Sequence, residues 1–253
     1  MKFTSVFFLT IFSISSPLHA ALAAGDMSII GFRTDATDAI AFVVWTTVVA
    51  GEKIHFTDAG FFADGTLRDS EDVMTWTAPL GGLAIGTVVV ISSPDSPGTV
   101  TVNLGTVTDR LNGLAAGGDQ IFAGTTAFPD TGDTTAPGSS YTGTLLFGLD
   151  TSGAVGWDAA AVNTFTSALP SALNSLGLNI SFGDVDNGQY IGSRAGLTLA
   201  QFKTAVTTPS NWITSDDGPT FGALSATPFG VIPEPSTTLV GSLGLLALLR
   251  RRR

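Results

Sequence analysis

Lys53-Ile54-His55-Phe56-Thr57 alternates polar and apolar side chains, and its reading decides the fold class. On an extended chain successive side chains point to opposite faces, so Ile54 and Phe56 share one side and His55 lies on the outer, polar one. Met74-Thr75-Trp76-Thr77 and Thr99-Val100-Thr101-Val102-Asn103-Leu104 repeat the pattern. The more uniformly apolar runs at residues 39–45 and 87–91 predict central strands covered on both faces, with further strands at 28–32, 120–123 and 145–149. Turn chemistry separates them at Ala50-Gly51, Asp64-Gly65, Gly81-Gly82, Ser96-Pro97-Gly98, Gly117-Gly118 and Asp186-Asn187-Gly188. Many short strands between frequent turns predict an all-β fold, an antiparallel β-sandwich with one or two short helices. One helix begins at Thr198 as cap with Leu199, Phe202 and Val206 on one face, and a helical turn falls within 168–176. Residues 130–140, rich in Thr, Gly and Pro, form a long loop.

The two ends read differently from this body. Lys2, the apolar run at residues 3–14, Pro17 and the small residues that follow make residues 1–23 a signal peptide. Leu18-His19-Ala20 and Ala21-Leu22-Ala23 both suit the narrow pockets of signal peptidase. At the other end Pro233-Glu234-Pro235 precedes an apolar run at 237–249 and then Arg250, Arg251, Arg252 and Arg253. A helix of that run spans about 20 Å against about 30 Å of hydrocarbon, a single short transmembrane helix that only marginally crosses. The arginines hold its cytoplasmic side, and Gly241, Ser242, Gly244 and Ala247 allow close approach of a neighbouring helix. Residues 24–230 form one domain between these segments.

Composition narrows the function. Charged residues make up 13% of the chain, about half the usual share. Between the two ends six basic residues (Arg33, Lys53, Arg68, Arg110, Arg194 and Lys203) face twenty acidic ones. So acidic a body repels nucleic acid and anionic membrane and is compatible with divalent cations. The chain has no cysteine, which excludes disulfides, thiol catalysis and thiolate metal sites.

Taken in order, the Pro-Glu-Pro motif, the short Gly/Leu-rich run and the arginine cluster resemble the PEP-CTERM sorting signal of exosortase substrates. The resemblance covers residues 231–253. It implies an exported protein handled near Pro233, Glu234 and Pro235 by an exosortase-type membrane sorting protease that removes the helix. It also implies a Gram-negative-type envelope, a transient inner-membrane anchor, a cell-surface or extracellular location, and a link to exopolysaccharide or biofilm. The body, through Gly25-Asp26-Met27-Ser28-Ile29-Ile30-Gly31-Phe32, Ile54-His55-Phe56-Thr57-Asp58, Thr75-Trp76-Thr77-Ala78-Pro79 and Asn211-Trp212, resembles an exported lamin-tail-like β-sandwich domain. That resemblance implies a fold and names no activity.

Sites within the body are sparse, and no catalytic residue is assigned. His55 cannot build a zinc site of several imidazoles alone, and no Gly-x-Ser-x-Gly elbow accompanies it, so it reads as an exposed strand residue. Asp184-Val185-Asp186-Asn187-Gly188 sets oxygen ligands ahead of a glycine, so Asp184, Asp186 and Asn187 either hold calcium or form an Asx-rich turn. Asp35/Asp38 and Asp69/Glu71/Asp72 read as solvated loop charge. Trp45 and Trp76 fall at core-facing strand positions, whereas Trp157 and Trp212, in loop-like contexts, are candidates for stacking on sugars. Three functions stay open: a non-enzymatic surface or matrix protein in contact with exopolysaccharide, a calcium-assisted carbohydrate-binding module, and a secreted hydrolase.

Overall fold

The computed structural model describes residues 21–35, 37–68, 71–94, 99–111, 113–129, 138–152, 156–161, 166–217 and 221–233. Residues 1–20 of the signal peptide lie outside the described residues, as do Glu234, Pro235, the apolar run at 237–249 and the four terminal arginines.

The described residues build two six-stranded sheets. The first orders β13 (Trp212–Ser215), β11 (Asn187–Tyr190), β1 (Met27–Arg33), β2 (Ala39–Val44), β5 (Val88–Ser92) and β6 (Thr101–Val102). The second orders β10 (Asn179–Ser181), β9 (Leu145–Asp150), β8 (Gln120–Gly124), β3 (Lys53–Thr57), β4 (Val73–Thr77) and β7 (Thr106–Thr108). Pairing is antiparallel within both except where β10 runs parallel to β9. A parallel pair of β12 (Ala195–Thr198) and β14 (Gly230–Ile232) stands apart.

The alternating segments at 53–57 and 74–77 fold as expected. Ile54 and Phe56 are fully buried, and Phe42 of β2 meets Phe56 at 5.4 Å and Trp76 at 5.3 Å between ring centroids, which joins the two sheets. Both tryptophans expected in the core are buried with a partner for the indole N–H: Trp76 donates to the Leu104 carbonyl and Trp45 to Ser28 Oγ, each at 2.8 Å. The helix capped by Thr198 is α2 (Leu199–Val206), closed by a capping box with Gln201, and its buried Phe202 stacks on Trp45. The expected helical turn is α1 (Ser171–Asn174).

Three expectations need correction. The strand expected over 99–104 is only the two-residue edge strand β6 on the first sheet, and a separate short edge strand, β7, follows on the second. The chain crosses between sheets at Gly105, whose φ of +85° and close approach to the Thr77 carbonyl leave no room for a Cβ. Asn187 and Gly188 do not form a turn: they start β11, and Gly188 is bare because the Phe32 ring packs over it. The last strand, Gly230–Ile232, carries the fold two residues past the expected boundary at 230.

One hydrogen bond, Gly25 N to the Leu146 carbonyl at 3.2 Å, sets the sheets end to end. The start of β1, the ends of β2 and β4, the starts of β3, β5 and β9, and the α2–β12–β14 cap therefore share a near end. The far end collects Arg33, Ala39, Thr57, Ser92, Gln120 and Asp150. The outer face of the second sheet is not left to solvent: Phe122, on the Thr57 side of the sheet, lies beneath Phe61 at 4.9 Å and Trp157 at 5.5 Å, both carried by loops that leave the far end. No described helix is long and apolar enough to cross a membrane.

Candidate functional site

The densest collection of perturbed side chains lies at the far end of the second sheet, beneath those loops. β8 is entered through Gly118, whose φ of +92° and close approach to the Thr151 carbonyl exclude a Cβ. Asp119 follows, and its carboxylate is enclosed by donors: Ala115 N at 3.0 Å, Gln120 N at 2.8 Å and Gln120 Nε2 at 2.9 Å. Gln120 Nε2 also reaches the Asp58 carbonyl. Burial pushes the Asp119 carboxyl up to about 7, against the two backbone N–H bonds; nearby Glu71 adds to the rise and Arg68 opposes it.

Arg68 is 1% exposed, and its Nη1 donates to the Thr166 carbonyl at 2.8 Å. Gly60 makes this possible, since a Cβ there would occupy the space of the guanidinium. Burial lowers the Arg68 pKa while Glu71 and Asp119 oppose the drop, and burial raises that of Glu71 against the pull of Arg68. On the neighbouring strand Asp150 is pushed up to about 6 by burial, against hydrogen bonds from Ser152 and Ser181.

A carboxyl titrating near 7 has the range of a general acid or base, but geometry decides its use. Asp119 is turned inward onto three N–H donors, and the nearest hydroxyls are committed as well: Ser152 Oγ donates to Asp150 at 2.5 Å and Thr151 Oγ1 accepts from Asp119 N. This is a buried polar network that fastens the covering loops to the sheet. Sequence reasoning missed it, and read Asp38 and Glu71 as solvated. Asp38 is buried with Oδ2 accepting from Leu114 N, and Glu71 is half-buried beside Arg68.

The residues singled out from sequence are dispersed. His55 is on the outer face of its strand as expected but half-buried, its Nδ1 2.9 Å from Thr75 Oγ1; burial first and Lys53 second lower its pKa. Its partner is a hydroxyl and not a carboxylate, so no triad is assembled around it. Asp184 is exposed, Asp186 is half-buried, and Asn187 is fully buried in β11 with Nδ2 donating to the Ser215 carbonyl at 3.0 Å. Consecutive Asp186 and Asn187 point to opposite faces as the strand begins, so the three expected calcium ligands do not converge. Among the described residues no three acidic or histidine side chains are grouped to hold a metal. Asp186 is instead raised in pKa, by burial and then by repulsion from Asp216, Asp35 and Asp184.

Trp212 is a correction: it is 7% exposed, donates to the Val206 carbonyl at 2.9 Å, and packs on Phe182 and Phe32, so no face is free for a sugar. Its loop-like sequence context hides a strand, β13. Trp157 is half-buried, held by Phe122 and by a 3.2 Å bond to Asn179 Oδ1. A shallow groove of about 410 Å³ along α2, lined by Gln201, Thr204, Thr208 and Asn211 among others, carries no titratable side chain. Pro233, the only described residue of the sorting motif, is exposed and directly follows β14. No family model, no curated protein and no solved structure matches the chain.

Proposed function

We propose that this chain is an exported, non-enzymatic protein of the cell surface or extracellular matrix, sorted by an exosortase-type protease and associated with exopolysaccharide. The observation that carries this reading is the order of parts at the C-terminal end. Pro233-Glu234-Pro235, an apolar run too short to be a comfortable span, and four arginines follow one another without interruption. Two features of the fold support it. β14 ends at Ile232, so Pro233 follows a strand of the fold without an intervening linker. The carboxyls raised to about 7 and about 6, Asp119 and Asp150, are occupied in holding the fold, and His55 bonds to Thr75.

The test is intact-mass measurement on protein extracted from the surface of its own cells, with and without the sorting protease. The expected product in the presence of the protease lacks residues 237–253. Recovery of chain that still carries the arginine cluster would overturn the reading.

A further inference from the structure

The two ends of the sandwich differ in the chemistry they expose. Of the six large hydrophobic side chains exposed among the described residues, five belong to the near half: Leu80 (97%), Ile85, Leu176, Ile191 and Ile232; the sixth, Ile213, lies past the middle of the first sheet, level with Gly31. Leu80 and Ile85 tip the loop between β4 and β5, Ile191 follows β11, and Ile232 ends β14. Acidic residues show the opposite distribution. Among the described ones only Asp26 and Glu52 sit at the near end, and the rest stand at the far end or in loops that leave it, including Asp35, Asp72, Asp109, Asp184 and Asp216. The six basic residues divide evenly, Lys53, Arg194 and Lys203 at the near end and Arg33, Arg68 and Arg110 at the far end, so the near end is left without the acidic excess.

Both ends of the described chain also emerge at the near end. Gly25 is tied to Leu146, and the C-terminal strap is fixed by Phe229, whose N–H donates to the Gly86 carbonyl at 2.8 Å and whose ring meets Trp45 and Phe202 at 5.1 Å. Arg194 closes over that ring and donates to the Thr227 carbonyl. Only residues 233–236 separate Ile232 from the apolar run at 237–249, and four residues reach at most about 14 Å.

We propose that the near end of the sandwich is a bilayer-contacting surface, with Leu80, Ile85, Ile191 and Ile232 entering the lipid interface and the acidic far end turned away from the membrane. The inference rests on reading residues 237–249 as the membrane segment, and goes beyond it by assigning the folded domain its own lipid contact. Isolated apolar tips seated among headgroups bury their surface without disturbing the core. An anionic leaflet repels carboxylates within roughly a Debye length, about 8 Å at physiological salt, so the charge distribution selects the same face.

Because the chain has no cysteine, single labels can be placed without background. Full-length L80C and I191C would report the near end, and D109C and D184C the far end. Each carries an environment-sensitive fluorophore in vesicles of phosphatidylethanolamine and phosphatidylglycerol. Nitroxide-bearing lipid should quench the near-end labels severalfold more than the far-end ones, and the added double change Leu80→Asp with Ile85→Asp should weaken quenching at the Ile191 position. Equal quenching at both ends, or near-end labels shielded from aqueous iodide yet untouched by lipid nitroxide, would overturn the proposal. Flotation of the vesicles separates the two ideas. Chain that fails to float overturns the membrane-segment reading along with the orientation, whereas chain that floats without a quenching gradient overturns the orientation alone.

Discussion

The two faces of the second sheet are buried by different chemistry. Its inner face meets the first sheet through Phe56, Trp76, Ile121 and Phe147, all at most 1% exposed, across a layer whose indole N–H is satisfied and which holds no charge. Its outer face is covered by loops that bring Phe61 and Trp157 down on Phe122, and Arg68 and Glu71 meet Asp119 at the far end, where β8 begins. Apolar contact between sheets is insensitive to pH and loses stability only when volume is removed. A covering layer fastened by partly compensated charge responds to protons and to the loss of any one partner. The difference teaches that stability here has one pH-independent source, between the sheets, and one pH-dependent source, gathered with the covering loops at the far end.

The largest effect should come from the inner face. Phe42→Ala removes a ring that touches both Phe56 and Trp76, and large-to-small changes of this kind cost about 3–5 kcal/mol. Urea unfolding should show that loss equally at pH 5 and pH 8. A loss that varied strongly between those conditions would mean that the two layers are not separable.

The outer face should show the complementary behaviour. Asp119 is raised to about 7 in the fold from an ordinary value near 4, so between those limits the native state binds more protons than the unfolded one. The slope of unfolding free energy with pH is proportional to protons bound unfolded minus protons bound native, which is negative here. This site therefore lowers stability as pH rises from about 4 to about 7, the reverse of a salt-bridged aspartate, and Asp150 acts the same way up to about 6. Asp119→Asn removes the charge but gives up the bond from Ala115 N, because an amide presents one acceptor where the carboxylate presents two. The expected result is a flatter pH dependence of the urea midpoint, with the variant losing about 1–3 kcal/mol at pH 5 and less at pH 8. A pH profile parallel to that of the parent would remove Asp119 from this role.

How far the sequence discloses these layers follows from the same contrast. β2, β3 and β4 are legible because each long face is buried against a flat partner, which enforces either alternation or a continuous apolar run in the chain. α2 is legible from Thr198 and Gln201, a local exchange of bonds. β10 (NIS) and β11 (NGQY) are not, since three or four mostly polar residues carry no period and their pairing is set by distant strands. Trp212 shares that fate: its neighbours read as loop, and only the partners Tyr190, Phe182 and Phe32 place it inside. Asp119, Arg68 and Glu71 leave no local mark, because their burial is imposed by segments more than thirty residues apart that fold over the same strand ends.

The smallest effect is expected at His55, which lies on the outer face but belongs to neither the apolar layer nor the charged network. Its ring is half-buried, its one bond is to Thr75 Oγ1, and a neutral bond of this kind contributes about 1 kcal/mol. Burial and Lys53 lower its pKa below the ordinary 6.5, so the native state binds fewer protons there than the unfolded state. Unfolding free energy then rises with pH up to about 6.5, opposite in sign to Asp119 over part of the same range. His55→Ala should cost about 1 kcal/mol at pH 7.5 and less at pH 5, because the variant also sheds the cost of keeping a neutral imidazole in acid. Paired with Asp119→Asn, it should leave a nearly additive loss, since the two sites share no partner. A loss above about 3 kcal/mol, or strong coupling to Asp119, would place His55 inside the charged network and erase the boundary between the two layers at this strand.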